Sequence, residues 1–175
     1  MSGERDMQAF ALQRHAIGDG LSLVPMSSED AAVIGAMCAA LEPWLSYPFS
    51  AAELIRFFSM QEPHAPRFSV LHGGVLAGAL VVRRDWFRGP YVHMLAVAPS
   101  LHGRGIGSTL IGFVEAEARR GRERNLWIAA TATNTGARRL YARCGFSEVA
   151  HLDGLVRDGV TEVLMRKRLV SANSQ

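Results

Sequence analysis

"LAVAPSLHGRGIGSTLIGFVEAEARR", residues 95–120, joins a short apolar segment to an amphipathic helix through a glycine-rich loop. Apolar side chains recur at helical spacing after the loop, while Glu115 and Arg119 lie on the opposite side of the helix. The first N–H groups of a helix have no intrahelical partner and lie at the positive end of its dipole. Glycines in front of such a helix let a phosphate approach these N–H groups closely. The stretch therefore predicts a phosphate site.

Two well-known phosphate motifs do not match this loop. The dinucleotide fingerprint G-x-G-x-x-G fails, because its last position falls on Ser108 or Leu110. The P-loop does not match either, because its last glycine is followed by a lysine and then by Ser or Thr, whereas Gly107 is followed directly by Ser108. The loop "HGRGIG" remains, with Arg104 as a nearby cation. Taken alone, it is equally well explained as a plain strand-to-helix turn in which the glycines supply only geometry.

Composition limits the class of protein. The chain has 175 residues, of which 49% are hydrophobic and 20% charged, which is typical of one globular domain. A net charge of +3 is too small and too dispersed to predict nucleic-acid binding. No apolar run reaches the length of a membrane span. We predict a loose N-terminal extension over residues 1–20, a domain over 21–170 and a tail over 171–175.

Cysteine and histidine usage gives two further expectations. Cys38 and Cys144 lack metal-ligand or redox spacing, which fits a reducing compartment and predicts a cytoplasmic protein. The histidines are scattered, so no metal site is predicted.

The order of elements predicts the fold class. An edge strand over 21–26 is followed by two capped helices and by a hairpin that turns at Gly73-Gly74. A strand then feeds the glycine loop and its helix. Strand, helix and a final hairpin follow. This order indicates a mixed α/β (α+β) domain with one central, mainly antiparallel sheet flanked by helices.

A second motif, "NTGARRLYARCGF" at 134–146, has Asn134 as a helix cap and Gly145 as a stop. Together, the glycine loop and this motif resemble the GCN5-related N-acetyltransferase (GNAT) superfamily over roughly residues 90–168. The resemblance implies the acyl-CoA N-acyltransferase fold and acetyl-CoA as cosubstrate. It places the cofactor on two segments and one side chain. They are the loop residues His102, Gly103, Arg104, Gly105, Ile106, Gly107 and Ser108 for the pyrophosphate, the strand residues Leu95, Ala96 and Val97 for the pantetheine arm, and Asn134.

One residue departs from the family pattern. The family usually has Gln or Arg where this chain has His102. A neutral histidine still donates one hydrogen bond, but charge assistance then rests on Arg104, which implies a lower or more pH-dependent affinity for the cofactor.

Transfer to an amine needs few groups from the protein. The attacking amine must lose a proton, and the departing thiolate profits from a proton donor. By resemblance, Tyr141 is that donor, although its helical spacing is equally that of a core tyrosine. His93 is the candidate base, and strand alternation would place it on one face with Tyr91 and Leu95. A half-buried structural histidine and a water chain are the alternatives.

We therefore expect an N-acetyltransferase in which a primary amine attacks acetyl-CoA directly within a ternary complex. The acceptor is a small molecule or a protein amine, without a nucleic-acid or membrane partner, and the final strands and the N-terminal extension are candidate contacts for a homodimer. The alternative is a CoA-binding regulatory or sensor module without turnover. The aromatic segment "LEPWLSYPF" at 41–49 is predicted to pack beneath the acceptor cleft rather than to line it.

Overall fold

The computed structural model describes residues 9–169, in which eight strands form one sheet flanked by four helices. The strands are β1 (His15–Gly18), β2 (Leu21–Pro25), β3 (Arg67–His72), β4 (Val75–Trp86), β5 (Gly89–Val97), β6 (Asn125–Thr131), β7 (Ser147–Asp153) and β8 (Thr161–Arg168). The helices are α1 (Ser28–Ala39), α2 (Ala51–Ser59), α3 (Ile106–Arg120) and α4 (Thr135–Arg143). Residues 1–8 and 171–175 of the predicted extension and tail, and residue 170, lie outside the described residues.

The sheet has the order β1-β2-β3-β4-β5-β6-β8-β7, and β5–β6 is the parallel pair among these strands. The other neighbours pair antiparallel. The predicted hairpin joins β3 to β4 at Gly73 and Gly74, whose φ angles of 58° and 82° suit a two-residue turn. The predicted fold class, a mixed and mainly antiparallel sheet flanked by helices, is confirmed.

The first strands differ from the sequence prediction in one respect. The segment from residue 21 was expected to lie at the edge of the sheet, but β1 pairs on its outer side, with His15 opposite Leu23. Among the described residues, β1 lies upstream of Leu21, within the segment for which a loose extension is predicted. The cause is local, because the left-handed Asp19 and Gly20 (φ 51° and 71°) reverse the chain between β1 and β2.

The helices cover opposite faces of the sheet and produce two apolar cores. α1 and α2 pack on one face through Ile34, Cys38 and Phe58, together with Val81 and Ala96 of the sheet. α3 and α4 pack on the other face, where the core is larger. Its most deeply buried members include Leu23, Phe68, Leu80, Leu110, Ile111, Leu126, Ile128 and Met165. Among residues 9–169, no helix has the length and apolar character needed to span a bilayer.

A β-bulge at His93 sets the geometry of the central strands. Val81 pairs with Met94 and Val82 pairs with Val92, so His93 is an extra residue on β5. A bulge leaves one residue out of the hydrogen-bonding ladder and bends its strand. The predicted alternation along β5 is therefore wrong at this point, because Val92 and Leu95 belong to the same core although three positions separate them. The bulge lies where β5 begins to leave β6.

Candidate active site

A deep cleft opens where β5 and β6 diverge. Their parallel register holds only at Tyr91–Trp127 and Val92–Ile128, although β5 continues to Val97 and β6 to Thr131. The cleft has a volume of about 1050 Å³ and is lined by residues of β5, β6, both flanking helix pairs and the segment that precedes α2. Separated strands expose backbone groups that would otherwise pair with each other.

The edge of β5 that borders the cleft can be assigned from the ladder. The Ala98 N–H donates to the Ala77 carbonyl at 2.8 Å, so even-numbered residues in this part of β5 turn their backbone groups to β4. The backbone groups of Leu95 and Val97 therefore face the cleft, as the sequence predicts. The backbone of Ala96 is engaged with β4 and its side chain is buried in the α1–α2 core, so its predicted contact with the cofactor stays a prediction.

The glycine loop places the N-terminus of α3 at one end of the cleft. Gly105 is the N-cap, with a φ of 81°, and offers no capping side chain. The Thr109 N–H donates to the Gly105 carbonyl, whereas within residues 9–169 the first-turn N–H groups of Ile106, Gly107 and Ser108 bond to no protein acceptor. Three N–H groups at the positive helix end are therefore free to bind an anion, and the predicted phosphate site at these residues stays a prediction.

His102 and Arg104 differ in their positions on this loop. The His102 ring is bonded to the Val97 carbonyl through Nε2 at 2.8 Å, so it ties the loop to the free edge of β5. Arg104 is exposed and lies outside the residues that line the cleft. Its predicted contact with the cofactor stays a prediction.

α4 contributes two of the predicted residues. Asn134 caps the helix, and its Oδ1 accepts from the Ala137 N–H at 3.1 Å. Tyr141 is only 7% exposed, contacts the Phe146 ring, and also lines the cleft. Burial raises the pKa of Tyr141 well above the usual value of 10, and Tyr91 and Cys144 add to the shift. The phenol therefore keeps its proton at pH 7.

His93 lines the cleft from the bulge. Its ring packs edge-on against Phe57 of α2, with 5.1 Å between the centroids. Burial, assisted by Arg83 and Arg67, lowers the pKa of His93 to about 4. Its Nδ1 atom is buried without a hydrogen-bond partner in the described part of the chain, which further disfavours an imidazolium. His93 is therefore neutral at pH 7, but it is a much weaker base than an ordinary histidine.

The structure adds a polar cluster that the sequence did not single out. The Tyr47 hydroxyl donates to the Glu162 carboxylate of β8 and is hydrogen-bonded to the Thr131 hydroxyl of β6. Glu162 is only 6% exposed, yet it lines the cleft. Burial raises the pKa of Tyr47 to about 12, and the bond to Glu162 adds to this shift.

The segment around Tyr47 was predicted to pack beneath the cleft, and its position corrects this expectation. Trp44, Tyr47 and Phe49 all line the cleft instead. Arg157 of the β7–β8 loop donates to the Ser46 carbonyl and so connects the two loops at this end. The aromatic residues of this segment were a signal in the sequence that could have indicated the cleft. No feature of the sequence near Glu162 indicated that this residue lines the cleft. Its side chain meets Tyr47 across 115 positions.

Most of the predicted site residues thus lie on one cleft, which also contains the Tyr47–Glu162 cluster. Those that line it are His93, Leu95, Val97, His102, Gly103, Gly105, Ile106, Gly107, Ser108, Asn134 and Tyr141. Ala96 and Arg104 do not. Among residues 9–169, no group of three or more side chains is arranged to hold a metal ion.

Comparison with known proteins points to one family. The model of the acetyltransferase (GNAT) family matches residues 21–146. The structure of nourseothricin acetyltransferase is 30% identical over 61% of this chain and 66% of that chain, with a TM-score of 0.56. This chain therefore spans about two thirds of that protein. No curated protein matches the chain significantly.

Two more distant structures share the fold over nearly their whole length. A putative GNAT acetyltransferase from Desulfovibrio desulfuricans is 20% identical, with 86% of this chain and 99% of that chain covered and a TM-score of 0.69. A GNAT acetyltransferase from Elizabethkingia anophelis, solved with acetyl-CoA bound, is 18% identical, with 87% and 100% covered and a TM-score of 0.64.

Proposed function

This chain belongs to the acetyltransferase (GNAT) family, and we propose that it transfers acetyl from acetyl-CoA to a primary amine by direct attack within a ternary complex. It is an acyltransferase with acetyl-CoA as its cosubstrate. The divergence of β5 from β6 carries the proposal. It opens a free strand edge beside the unpaired N–H groups of α3, and both open into the same cleft.

The cleft suits an extended ligand with an anionic end. The N–H groups of Ile106, Gly107 and Ser108 would receive the diphosphate, with Arg104 as a long-range cation. The edge at Leu95 and Val97 would pair with the amides of the pantetheine arm. The Val97 carbonyl is already bonded to His102, so this histidine must release it before the carbonyl accepts from the ligand.

The groups proposed to act in the transfer lie on two elements, the bulge of β5 and helix α4. A bulge leaves a backbone N–H out of the ladder, and at His93 this group can donate to the thioester carbonyl oxygen as negative charge develops there. As the amine nitrogen bonds to the carbonyl carbon, it loses a proton, which His93 accepts. The C–S bond then breaks, and the Tyr141 hydroxyl protonates or hydrogen-bonds the departing thiolate. No covalent intermediate with the enzyme is required.

Acceptor-dependent release of thiol tests the proposed function. The protein is incubated with acetyl-CoA and a panel of primary amines, and free CoA thiol is measured together with acetylated amine. We expect release to depend on both the protein and the amine. A protein that binds acetyl-CoA but releases no thiol with any member of the panel would instead be the CoA-binding sensor.

The low pKa of His93 predicts an unusual pH profile. An ordinary histidine base would give an acidic limb near pH 6.5, but the limb should here lie near pH 4, where the ring becomes protonated. A base with so low a pKa contributes less than the usual 10²–10⁴-fold, and we expect His93→Gln to lower kcat about tenfold. The shape of the profile above pH 6 should not change. Steady-state rates from pH 5 to 9 check this prediction.

Acid stability of the same variant tests the lowered pKa of His93 without requiring turnover. Because the folded pKa of His93 lies below the unfolded value of 6.5, the unfolded state binds more protons between pH 6.5 and 4. As the pH is lowered from 6.5 to 4, the free energy of unfolding of the wild type should therefore fall by about 3 kcal/mol. The His93→Gln variant should not show that loss. A limb near pH 6.5 that disappears in the variant would contradict the lowered pKa. An unchanged kcat would leave water as the base.

Two further properties of the protein, its location in the cell and its oligomeric state, do not depend on the cleft. We propose a cytoplasmic location, supported by Cys38 and Cys144, which are both free thiols. A homodimer stays a prediction.

A further inference from the structure

Glu162 is a buried carboxylate that lines the cleft. Its side chain projects from the start of β8, beside Thr131 of β6, and accepts a hydrogen bond from Tyr47. The residue is 94% removed from solvent, since only 6% of its surface is exposed. The chain thus places an acidic group in the cleft and holds it in position through Tyr47.

The charge on Glu162 has no counterion in the described part of the chain. The ion pairs formed by residues 9–169 do not include it, so no Lys, Arg or His nitrogen lies within 4.0 Å of its carboxylate. A buried charge is costly unless it is paired, and one neutral hydrogen bond compensates for only part of that cost. A carboxylate in this state binds a cation favourably, because the desolvation has already occurred.

Glu162 lies to the side of the transfer site. Glu162 belongs to β8, and β6 lies between β8 and β5 in the sheet. The axes of β8 and β5 are therefore about 10 Å apart. Thr131, its partner in register, is three residues beyond Ile128, the last β6 residue paired with β5. A group bound to Glu162 therefore lies at a distance from an amine that attacks beside His93.

The surroundings of Glu162 also favour a cation. The Tyr47 hydroxyl is bonded to Glu162, and the Phe49 ring contacts the Tyr47 ring. Burial raises the pKa of Tyr91, and this residue is close enough for the Glu162 carboxylate to raise its pKa further. Aromatic faces attract ammonium groups, and the attraction is larger where water is excluded. The aromatic rings and the carboxylate thus both favour a positively charged ligand.

We propose that Glu162 binds a second, non-reacting ammonium group of the acceptor, and that the enzyme acetylates amines that carry at least two positive charges. The proposal rests on the proposed function and names the class of its acceptor. Tyr47 is a positioning residue, because it holds one carboxylate oxygen and leaves the other for the ligand. A simple alkanediamine represents this acceptor class.

Equilibrium binding tests the proposal without requiring turnover. The affinities of 1,5-diaminopentane and 1-aminopentane for the protein saturated with CoA are measured by calorimetry. These probes share a carbon chain and differ by one ammonium group. We expect the diamine to bind about 10- to 100-fold more tightly, as a charge-assisted hydrogen bond predicts. Glu162→Gln, which can still accept from Tyr47, should abolish this difference by weakening the diamine alone.

A control for charge is available in the loop before β8. Asp158→Asn removes the same charge from the exposed loop before β8 and should leave the diamine preference intact. Equal affinities of the two probes for the wild-type protein would overturn the proposal, and this comparison needs no variant to fold. A preference that persists in folded Glu162→Gln would overturn it as well. Failure of the proposed function is a separate result, in which no amine releases thiol although the diamine still binds.

Discussion

Tyr141→Phe should reduce turnover by roughly 10²–10⁴-fold, the usual range for loss of a general acid, while acetyl-CoA affinity changes little. The phenyl ring remains in its packing site, and in the described residues the Tyr141 hydroxyl has no hydrogen-bond partner to lose. The fold should therefore be as stable as that of the wild type. Thiol release under saturating substrates measures the rate, and calorimetry measures the affinity.

Tyr91→Phe is the matched control. Tyr91 also lines the cleft, and burial raises its pKa to about 12, but its ring stacks on Trp86 on the β5 side. If proton donation to the thiolate is specific to α4, removing the Tyr91 hydroxyl should change turnover only a few-fold. Equal turnover of Tyr141→Phe and the wild type, with a good acceptor, would assign Tyr141 to the core alone.

The residues that the sequence located correctly depend on local rules. The turn at Gly73-Gly74 and the cap at Asn134 follow from backbone conformations and hydrogen bonds that a few neighbouring residues decide. The free N–H groups of α3 are equally local, because every helix start leaves such groups unpaired. These local features could therefore be predicted before any tertiary contact was known.

The rest of the cleft depends on contacts that local rules do not describe. The bulge at His93 arises from the register between β4 and β5, and it reverses the faces that simple alternation assigns on either side. Whether the backbone groups of Ala96 are free or paired depends on which edge of β5 faces β4, and no local pattern indicates this. Glu162 and Tyr47 come together only when the sheet brings β8 beside β6, so no short motif contains both residues.

A negative charge at the start of α3 should have the second large effect. Ser108 is the third residue of the helix and is exposed, and glutamate is favoured at this position in ordinary helices. Ser108→Glu should therefore be at least as stable as the wild type. Its carboxylate would occupy the positive helix end and repel the diphosphate. Charge-assisted hydrogen bonds contribute about 1.5–3 kcal/mol each, so losing them should weaken acetyl-CoA binding roughly 100-fold or more.

Ala116→Glu is the control for charge alone, because it adds the same group to the same helix. Ala116 is exposed and lies eight residues further along α3, about 12 Å away and beyond the screening length at physiological salt. Substitutions at Gly105 would be harder to interpret, because its φ of 81° is strained for any side chain. Calorimetry with acetyl-CoA should show weak binding for Ser108→Glu and normal binding for Ala116→Glu. Unchanged affinity in a folded Ser108→Glu protein would mean that the diphosphate does not bind at the start of α3, since a ligand held by these N–H groups cannot tolerate a fixed carboxylate among them.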